Sequence, residues 1–275
     1  MSIVSAVRRA PLFSLVQGIF FSSSHEKNIL RLGFLKRKKT VVVCCLLRSR
    51  AREMTTPKIG VLALQGAFRE HVNMLRSSSE ADVREIRVAS ELKHLDGLII
   101  PGGESTAFAI IGGGKSGMFD KLKEFVKSSK PVWGTCAGLI VLANRVNGQK
   151  RGGQSLVGGL NITVQRNYFG KQVCSFEADI APPPPSSSSS SSPKKRLRPS
   201  PFPGIFIRAP AILETGSDVK ILASVDIDEK STVVAVRQGN LLGTSFHPEL
   251  GDDTRYHQYF MNMVEDNMKK MSAGM

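Results

Sequence analysis

The sequence predicts an α/β fold in which a mostly parallel β-sheet is covered by helices. From Lys58 onward, short apolar runs alternate with segments of helical spacing, and this alternation is typical of a parallel sheet. The chain has 275 residues, of which 41% are apolar. That is enough for one globular domain with a sizeable core and some appendages.

The predicted strands are short runs rich in apolar residues, and they lie at 59–64, 83–87, 97–100, 131–135, 160–165, 175–180, 219–224, 232–237 and 241–246. The predicted helices carry apolar residues on one face, and they lie at 66–76, 118–128, 137–144 and 252–270. Beyond Gly158 the segments are mainly β-strands. We therefore expect a parallel first half and a β-rich second half.

Residues 1–57 form a basic, Ser-rich segment before the first strand. Within residues 1–53, eleven Lys or Arg stand against Glu26 and Glu53, which gives +9. The composition is shared with organelle transit peptides. Because Met54 lies just before strand one, residues 1–53 are equally well a disordered upstream extension. We expect the folded domain at 58–275, located in the cytoplasm, or in an organelle if 1–53 are a transit peptide.

A second low-complexity segment, residues 182–204, is rich in Pro and Ser and carries the basic cluster 194–198. Such a segment cannot pack a core, so we predict a surface insertion. The cluster resembles a nuclear localisation signal, although basic runs are also common in solvated loops. The net charge of +15 falls mainly on residues 1–53 (+9) and on this segment (+4), which leaves +2 for the remainder. Nucleic acid is therefore not an expected partner.

Other composition features exclude several classes of protein. No apolar run approaches the roughly 20 residues that span a bilayer, so no membrane association is expected. The cysteines form neither a disulfide framework nor paired Cys-x-x-Cys spacing, and they are Cys44, Cys45, Cys136 and Cys174. The glycine-rich run 112–116 would need glycine at Ala109 to be a phosphate loop. We expect no metal ion and no other cofactor.

The segment Gly134-Thr135-Cys136-Ala137-Gly138 lies between a predicted buried strand and a predicted helix. It matches a nucleophile elbow with Cys in place of Ser. Glycines are needed because side chains at Gly134 and Gly138 would collide with neighbouring backbone in so sharp a turn. The following helix favours a thiolate, and the Ala137 amide can donate to a developing oxyanion. Taken alone, the pattern also fits a small buried Cys that serves packing.

His247-Pro248-Glu249 supplies the groups that such a nucleophile needs. Residues two apart on an extended segment project to the same side, so the carboxylate can orient the His ring if the last strand continues through them. His247 then takes the thiol proton and later protonates the leaving group. The other histidines have no comparable neighbours in sequence, and they are His25, His71, His94 and His257.

These segments together resemble the glutaminase subunits of pyridoxal 5′-phosphate synthase, within the class I glutamine amidotransferase superfamily. The resemblance covers about Lys58 to Lys270. It rests on Gly60–Gly66 with Glu70-His71, Pro101–Thr106, Gly134–Gly138, Arg166–Gly170, Ser175–Asp179, Phe206–Pro210 and Ser245–Leu250.

The resemblance implies a three-layer α/β/α fold in which Cys136 attacks the side-chain amide of L-glutamine. A glutamyl thioester forms, ammonia leaves, and water releases glutamate. Glutamine-binding positions carried over from the family are Gly103, Glu104, Ser105, Arg166, Ile207 and Arg208, and the oxyanion donors are Gly103 and Ala137. The implied partner is the synthase subunit, which uses the ammonia to build pyridoxal 5′-phosphate. Two alternatives stay open: another Cys-dependent hydrolase or deglycase of the superfamily, and a non-catalytic scaffold subunit.

Overall fold

The structure is a computed structural model that describes residues 55–112, 117–148, 155–169, 175–185, 200–227 and 230–274. These residues belong to one compact unit. Several features named above lie outside the described residues: the basic leader up to residue 54, most of the 182–204 segment with its basic cluster, and Cys44, Cys45 and Cys174.

The strands are β1 (Lys58–Leu62), β2 (Asp82–Ile86), β3 (Gly97–Ile100), β4 (Val132–Thr135), β5 (Ala143–Asn147), β6 (Leu160–Gln165), β7 (Ser175–Ile180), β8 (Phe202–Ile207), β9 (Ala211–Thr215), β10 (Lys220–Ile227), β11 (Lys230–Gln238) and β12 (Leu241–Thr244). The α-helices are α1 (Phe68–Ser78), α2 (Ser105–Gly112), α3 (Met118–Lys127), α4 (Ala137–Leu142) and α5 (Arg255–Ala273). Short 3-10 turns lie at Ala89–His94 and Pro248–Leu250.

The central sheet has the order β2-β1-β3-β4-β12-β11-β9-β6-β5, with β10 added alongside β11. The first five strands in this order pair in parallel. From β12 onward the neighbours β11, β9 and β6 pair antiparallel, and β5 returns parallel to β6. A separate antiparallel hairpin is formed by β7 and β8. The carboxyl ends of β3, β4 and β12 therefore meet at one edge of the sheet, where the candidate site lies.

Helices cover both faces of the sheet. One hydrophobic core lies between the sheet and α2, α3 and α4, and the other lies between the sheet, α1, α5 and the β7–β8 hairpin. Successive side chains of a strand point to opposite faces of the sheet, so each central strand contributes to both cores. In β3, Leu98 and Ile100 pack in the first core and Ile99 in the second. The predicted α/β fold is confirmed.

Three details of the prediction are corrected. The helix predicted at 137–144 ends at Leu142, because Ala143 begins β5 and pairs with Leu160. Strands β5, β8 and β9 were not predicted. The 182–204 segment overlaps β8, in which Phe202 pairs with Ile180. Pro203 is tolerated within β8 because this strand has only one hydrogen-bonded neighbour, β7.

Candidate active site

Cys136 occupies the sharp turn between β4 and α4. Its backbone has φ 48° and ψ −101°, a positive-φ conformation that is strained for a residue with a side chain. A Cβ atom on Gly138 would lie 1.9 Å from the carbonyl oxygen of Ile100, and one on Gly134 would lie 2.5 Å from the carbonyl of Gly138. Both glycines are therefore required by close backbone packing, as the sequence predicted.

His247 and Glu249 meet directly, although not by the route that the sequence indicated. Strand β12 ends at Thr244, and Pro248–Leu250 form a 3-10 turn rather than a continuing strand. This turn brings Nδ1 of His247 to 2.7 Å from Oε1 of Glu249. The Glu249 side chain is fully buried and that of His247 is 8% exposed. The carboxylate thus fixes the ring from its buried side.

Several effects act on the pKa of His247. Burial lowers it, whereas hydrogen bonds to Cys136 and Glu249, together with their negative charges, raise it. The net result is a pKa raised to about 10. Burial also raises the pKa of Glu249, but the neighbouring His71 and the hydrogen bond from His247 leave it lowered. The raised pKa of His247 and the lowered pKa of Glu249 favour an imidazolium paired with an ionised carboxylate.

A pocket of about 240 Å³ opens in front of Cys136. Its volume suits a small ligand, such as one amino acid. Of the residues predicted to act in catalysis or binding, those that line it are Gly103, Glu104, Ser105, Cys136, Ala137, Arg166, Ile207, Arg208 and His247. Glu249 does not line the pocket, because it lies behind His247. The structure therefore brings every predicted site residue to one place.

Two arginines and a glutamate also line the pocket. Nη2 of Arg166 lies 3.5 Å from Oε1 of Glu104. Arg208 has a left-handed backbone with φ 45°, as does Asn167 with φ 47°. With Cys136, these are three of the four non-glycine residues with positive φ in the described part of the chain. Backbone strain of this kind concentrates where side chains must be aimed at a ligand.

Gly102 and Gly103 form the edge of the pocket nearest the reacting groups. A Cβ on Gly102 would lie 2.3 Å from Cε1 of His247 and 3.3 Å from Cβ of Cys136. Gly103 has φ 142°, and a Cβ there would lie 2.1 Å from Oε1 of Gln65. The missing side chains let the β3–α2 backbone approach the nucleophile. The arrangement is compatible with backbone donors from Gly103 and Ala137, the pair predicted for the oxyanion.

Sequence reasoning missed several residues of the site. Asn167 lines the pocket, and Gln65 accepts a hydrogen bond from the Glu104 amide at 2.8 Å. His71 and His257, interpreted from sequence as isolated, are fully buried and contact each other behind Glu249. The burial of His71 could have been predicted, because His71 lies on the same face of α1 as the apolar residues Val72 and Leu75.

Two further properties concern the described ranges as a whole. None of their helices is long and apolar enough to cross a membrane. Within the same ranges, no group of three or more His, Cys, Asp or Glu side chains is arranged to hold a metal ion.

Comparison with known proteins identifies the family. A family model described as the SNO glutamine amidotransferase family matches residues 61–266. A protein of Arabidopsis thaliana named "Probable pyridoxal 5'-phosphate synthase subunit PDX2" is 49% identical over 228 residues, with 76% of this chain and 86% of the plant protein covered. The pyridoxal 5'-phosphate synthase subunit PdxT of Dehalococcoides mccartyi is 48% identical over 209 residues, with 76% of this chain and 98% of the bacterial protein covered.

A solved structure agrees with these relatives. The crystal structure of a glutamine amidotransferase is 38% identical, has a TM-score of 0.62, and covers 75% of this chain and 98% of its own. The family match includes the elbow, the His-Pro-Glu turn and the segment that carries Arg166. This chain belongs to the SNO glutamine amidotransferase family.

Proposed function

We propose that this chain hydrolyses L-glutamine to L-glutamate and ammonia, with Cys136 as nucleophile, His247 as acid and base, and Glu249 as the group that orients His247. One observation carries the proposal: Cys136 and His247 line the same pocket as Arg166 and Arg208, and Glu249 is hydrogen-bonded to His247 from behind. Family membership supports the same chemistry.

The first half of the reaction forms a thioester. The Cys136 sulfur attacks the side-chain carbonyl carbon of glutamine, and the carbonyl oxygen becomes an oxyanion that accepts hydrogen bonds from the amides of Gly103 and Ala137. When the C–N bond breaks, the imidazolium of His247 gives its proton to the departing nitrogen, which leaves as ammonia. The product on the enzyme is a glutamyl thioester with a neutral His247.

The second half restores the starting state. Neutral His247 takes a proton from a water molecule, whose oxygen attacks the thioester carbonyl. The C–S bond breaks, glutamate leaves, and the thiolate and imidazolium are regenerated. Glu249 stays ionised throughout and stabilises the imidazolium of His247 whenever it forms.

Glutamine is recognised through its α-amino and α-carboxylate groups. Arg166 and Arg208 supply planar guanidinium groups that pair with a carboxylate, and Glu104 supplies a carboxylate for the ammonium. Gly103, Ser105 and Ile207 complete the binding positions and line the same pocket. A set of groups for both ends of an amino acid favours glutamine over the substrates of another Cys-dependent hydrolase or deglycase.

The ammonia is delivered to a pyridoxal 5′-phosphate synthase subunit, with which this chain forms a hetero-oligomeric complex for vitamin B6 synthesis. Support comes from the relatives, which are named as subunits of that synthase. The domain spans residues 58–275, and it works in the cytoplasm, or in an organelle if residues 1–53 are a transit peptide. No cofactor takes part in the glutaminase half-reaction.

The decisive experiment compares the wild-type chain with Cys136→Ala, each mixed with the synthase subunit and glutamine. Glutamate release falls by roughly 10⁴-fold or more in the variant, because the thioester cannot form. Circular dichroism and co-purification with the synthase subunit serve as controls, since removing one sulfur leaves folding and docking intact. Unchanged turnover in Cys136→Ala would overturn the mechanism, and a wild type that releases no glutamate would overturn the function.

A further inference from the structure

Behind the proposed triad lies a second histidine that the mechanism above does not use. His71 on α1 is completely buried, and its Nε2 atom lies 3.3 Å from Oε2 of Glu249. The same nitrogen is 3.2 Å from Oγ1 of Thr135, the residue before the nucleophile. On the other side of the ring, Nδ1 lies 2.9 Å from Nε2 of His257. His71 thus contacts both the acid of the triad and the strand end that carries Cys136.

These contacts determine which ring nitrogens carry protons. If Nε2 of His71 had no proton, it would place a lone pair against the Glu249 carboxylate. Nε2 of His71 therefore carries the proton, which it shares between Oγ1 of Thr135 and the nearby Oε2. Its bare Nδ1 accepts a hydrogen bond from Nε2–H of His257. The opposite arrangement would leave an N–H at Nδ1 of His257, which has no hydrogen-bond partner among the described residues.

We propose that His71 is a positioning residue for glutamine hydrolysis: its Nε2–H holds the second oxygen of Glu249, so that the first oxygen faces His247. The inference rests on the proposed function of the triad. At 3.3 Å the contact is longer than the 2.7 Å bond from His247 to the other oxygen, and Oε2 has no hydrogen-bond partner among the described residues, so His71 acts on it through the N–H dipole. Because that oxygen is buried without a hydrogen bond, a nearby N–H dipole helps the carboxylate to remain ionised.

Neighbouring charges agree with a neutral His71. Burial lowers its pKa, and His247 lowers it further, whereas Glu249 and Glu70 raise it, with a lowered pKa as the net result. Burial and the nearby His71 hold the pKa of His257 well below its usual value. Both rings therefore remain neutral at the pH at which His247 is charged. The positive charge of the cluster stays on the ring that faces Cys136.

His71 could instead serve packing alone, since its ring makes edge contact with Trp133, with ring centroids 5.5 Å apart. The two roles predict different pH profiles. A packing residue affects folding and not the protonation of the triad. An N–H donor to Glu249 lowers the pH at which the triad takes up a proton, so its removal moves the acid limb of the kcat/KM profile to higher pH.

The test uses His71→Leu and His71→Gln in the full-length chain with its synthase subunit. Leu removes the donor, so kcat falls about tenfold and the acid limb moves up by about one pH unit. KM stays within about twofold, because His71 does not line the pocket. Gln places an amide N–H near the former Nε2 and restores the wild-type profile. If Leu prevents folding, His71→Asn replaces it, because its shorter amide does not reach Glu249.

A matched control and a second measurement separate the possible outcomes. Val72→Ala on the same buried face of α1 loses packing but keeps the wild-type pH profile. Iodoacetamide alkylation of the Cys136 peptide, followed against pH by mass spectrometry, reports the triad without glutamine. Its acid limb moves upward with His71→Leu and returns with His71→Gln. Profiles that do not change with His71→Leu overturn the inference, even where wild-type glutaminase activity upholds the function.

Discussion

The two walls of the pocket are built differently. The nucleophile wall consists of Cys136, Ala137 and His247, which are all at least 90% buried. The arginine wall consists of Arg166, Asn167 and Arg208, which lie on connections beyond β6 and β8. Arg166 is half-buried, and Asn167 and Arg208 are exposed. The first wall stands on the parallel half of the sheet, and the second stands on the antiparallel half and the β7–β8 hairpin.

This difference separates reactivity from recognition. Close backbone packing around Gly134 and Gly138 leaves the nucleophile a single conformation, so stability and chemistry depend on the same contacts. On the arginine wall, side chains are held by a long ion pair and by the backbone conformation, so a change there alters binding more than folding. The predictions below test this separation, from the largest expected effect to the smallest.

Gly138→Ala is expected to destabilise the protein by about 3 kcal/mol or more, because the new Cβ meets the Ile100 carbonyl oxygen at 1.9 Å and neither backbone can move easily. Urea unfolding measures the loss. Gly239→Ala is the control, since its Cβ meets nothing within 4 Å and only its φ of 56° is unfavourable. It should cost about 1 kcal/mol. Equal losses in the two variants would mean that the elbow is not tightly packed.

Arg166→Gln is expected to raise the KM for glutamine by roughly 10-fold to 150-fold, the equivalent of one charge-assisted hydrogen bond of about 1.5–3 kcal/mol. The free energy of unfolding should change by less than about 0.5 kcal/mol, because the pair with Glu104 is long and partly exposed. Steady-state kinetics and urea unfolding provide both values. Arg84→Gln, which removes an exposed ion pair with Asp82, is the matched control and leaves KM unchanged. A large loss of stability in Arg166→Gln would mean that the arginine wall contributes to folding as the nucleophile wall does.

Acid is expected to destabilise the protein through the two histidines buried behind the nucleophile wall, His71 and His257. Because burial lowers the pKa of both His71 and His257, the unfolded chain binds protons below about pH 6.5 that the folded chain does not. Stability therefore falls as pH drops below that value, by at most about 1.4 kcal/mol for each histidine at pH 5.5. Unfolding at about pH 7.5 and pH 5.5 should show a smaller drop for His257→Gln than for wild type. An equal drop would assign the acid sensitivity to other groups.

Much of the nucleophile wall could be predicted because its determinants are adjacent in sequence. The elbow at Cys136 needs Gly134 and Gly138 at fixed spacing, and Glu249 lies two residues from His247. The contact of His247 with Glu249 was expected on an extended strand but is made by a 3-10 turn. The reason is that Pro248 begins that turn, a position where its fixed φ and missing N–H are tolerated.

Features that depend on distant pairing could not be predicted. Strand β5 begins at Ala143 only because Leu160 is available to pair with it, although the sequence continues a helical pattern. His71 and His257 are 186 residues apart, and their contact depends on how α1 and α5 pack on the same face of the sheet. For the arginine wall, Arg166 and Arg208 were predicted from the family resemblance. Their residue types alone did not predict the positive φ angles at Asn167 and Arg208.

The β7–β8 hairpin also determines where extra sequence can be accommodated. Ser175 pairs with Ile207 at the pocket end, and Ile180 pairs with Phe202 at the other end, where the Pro/Ser-rich segment leaves and re-enters the ladder. Five residue steps at roughly 3.3 Å each separate the two ends by about 17 Å. Doubling a loop costs only about 0.6 kcal/mol in closure entropy. The far end of the hairpin is therefore a suitable place to insert a reporter peptide or affinity tag without displacing Arg208.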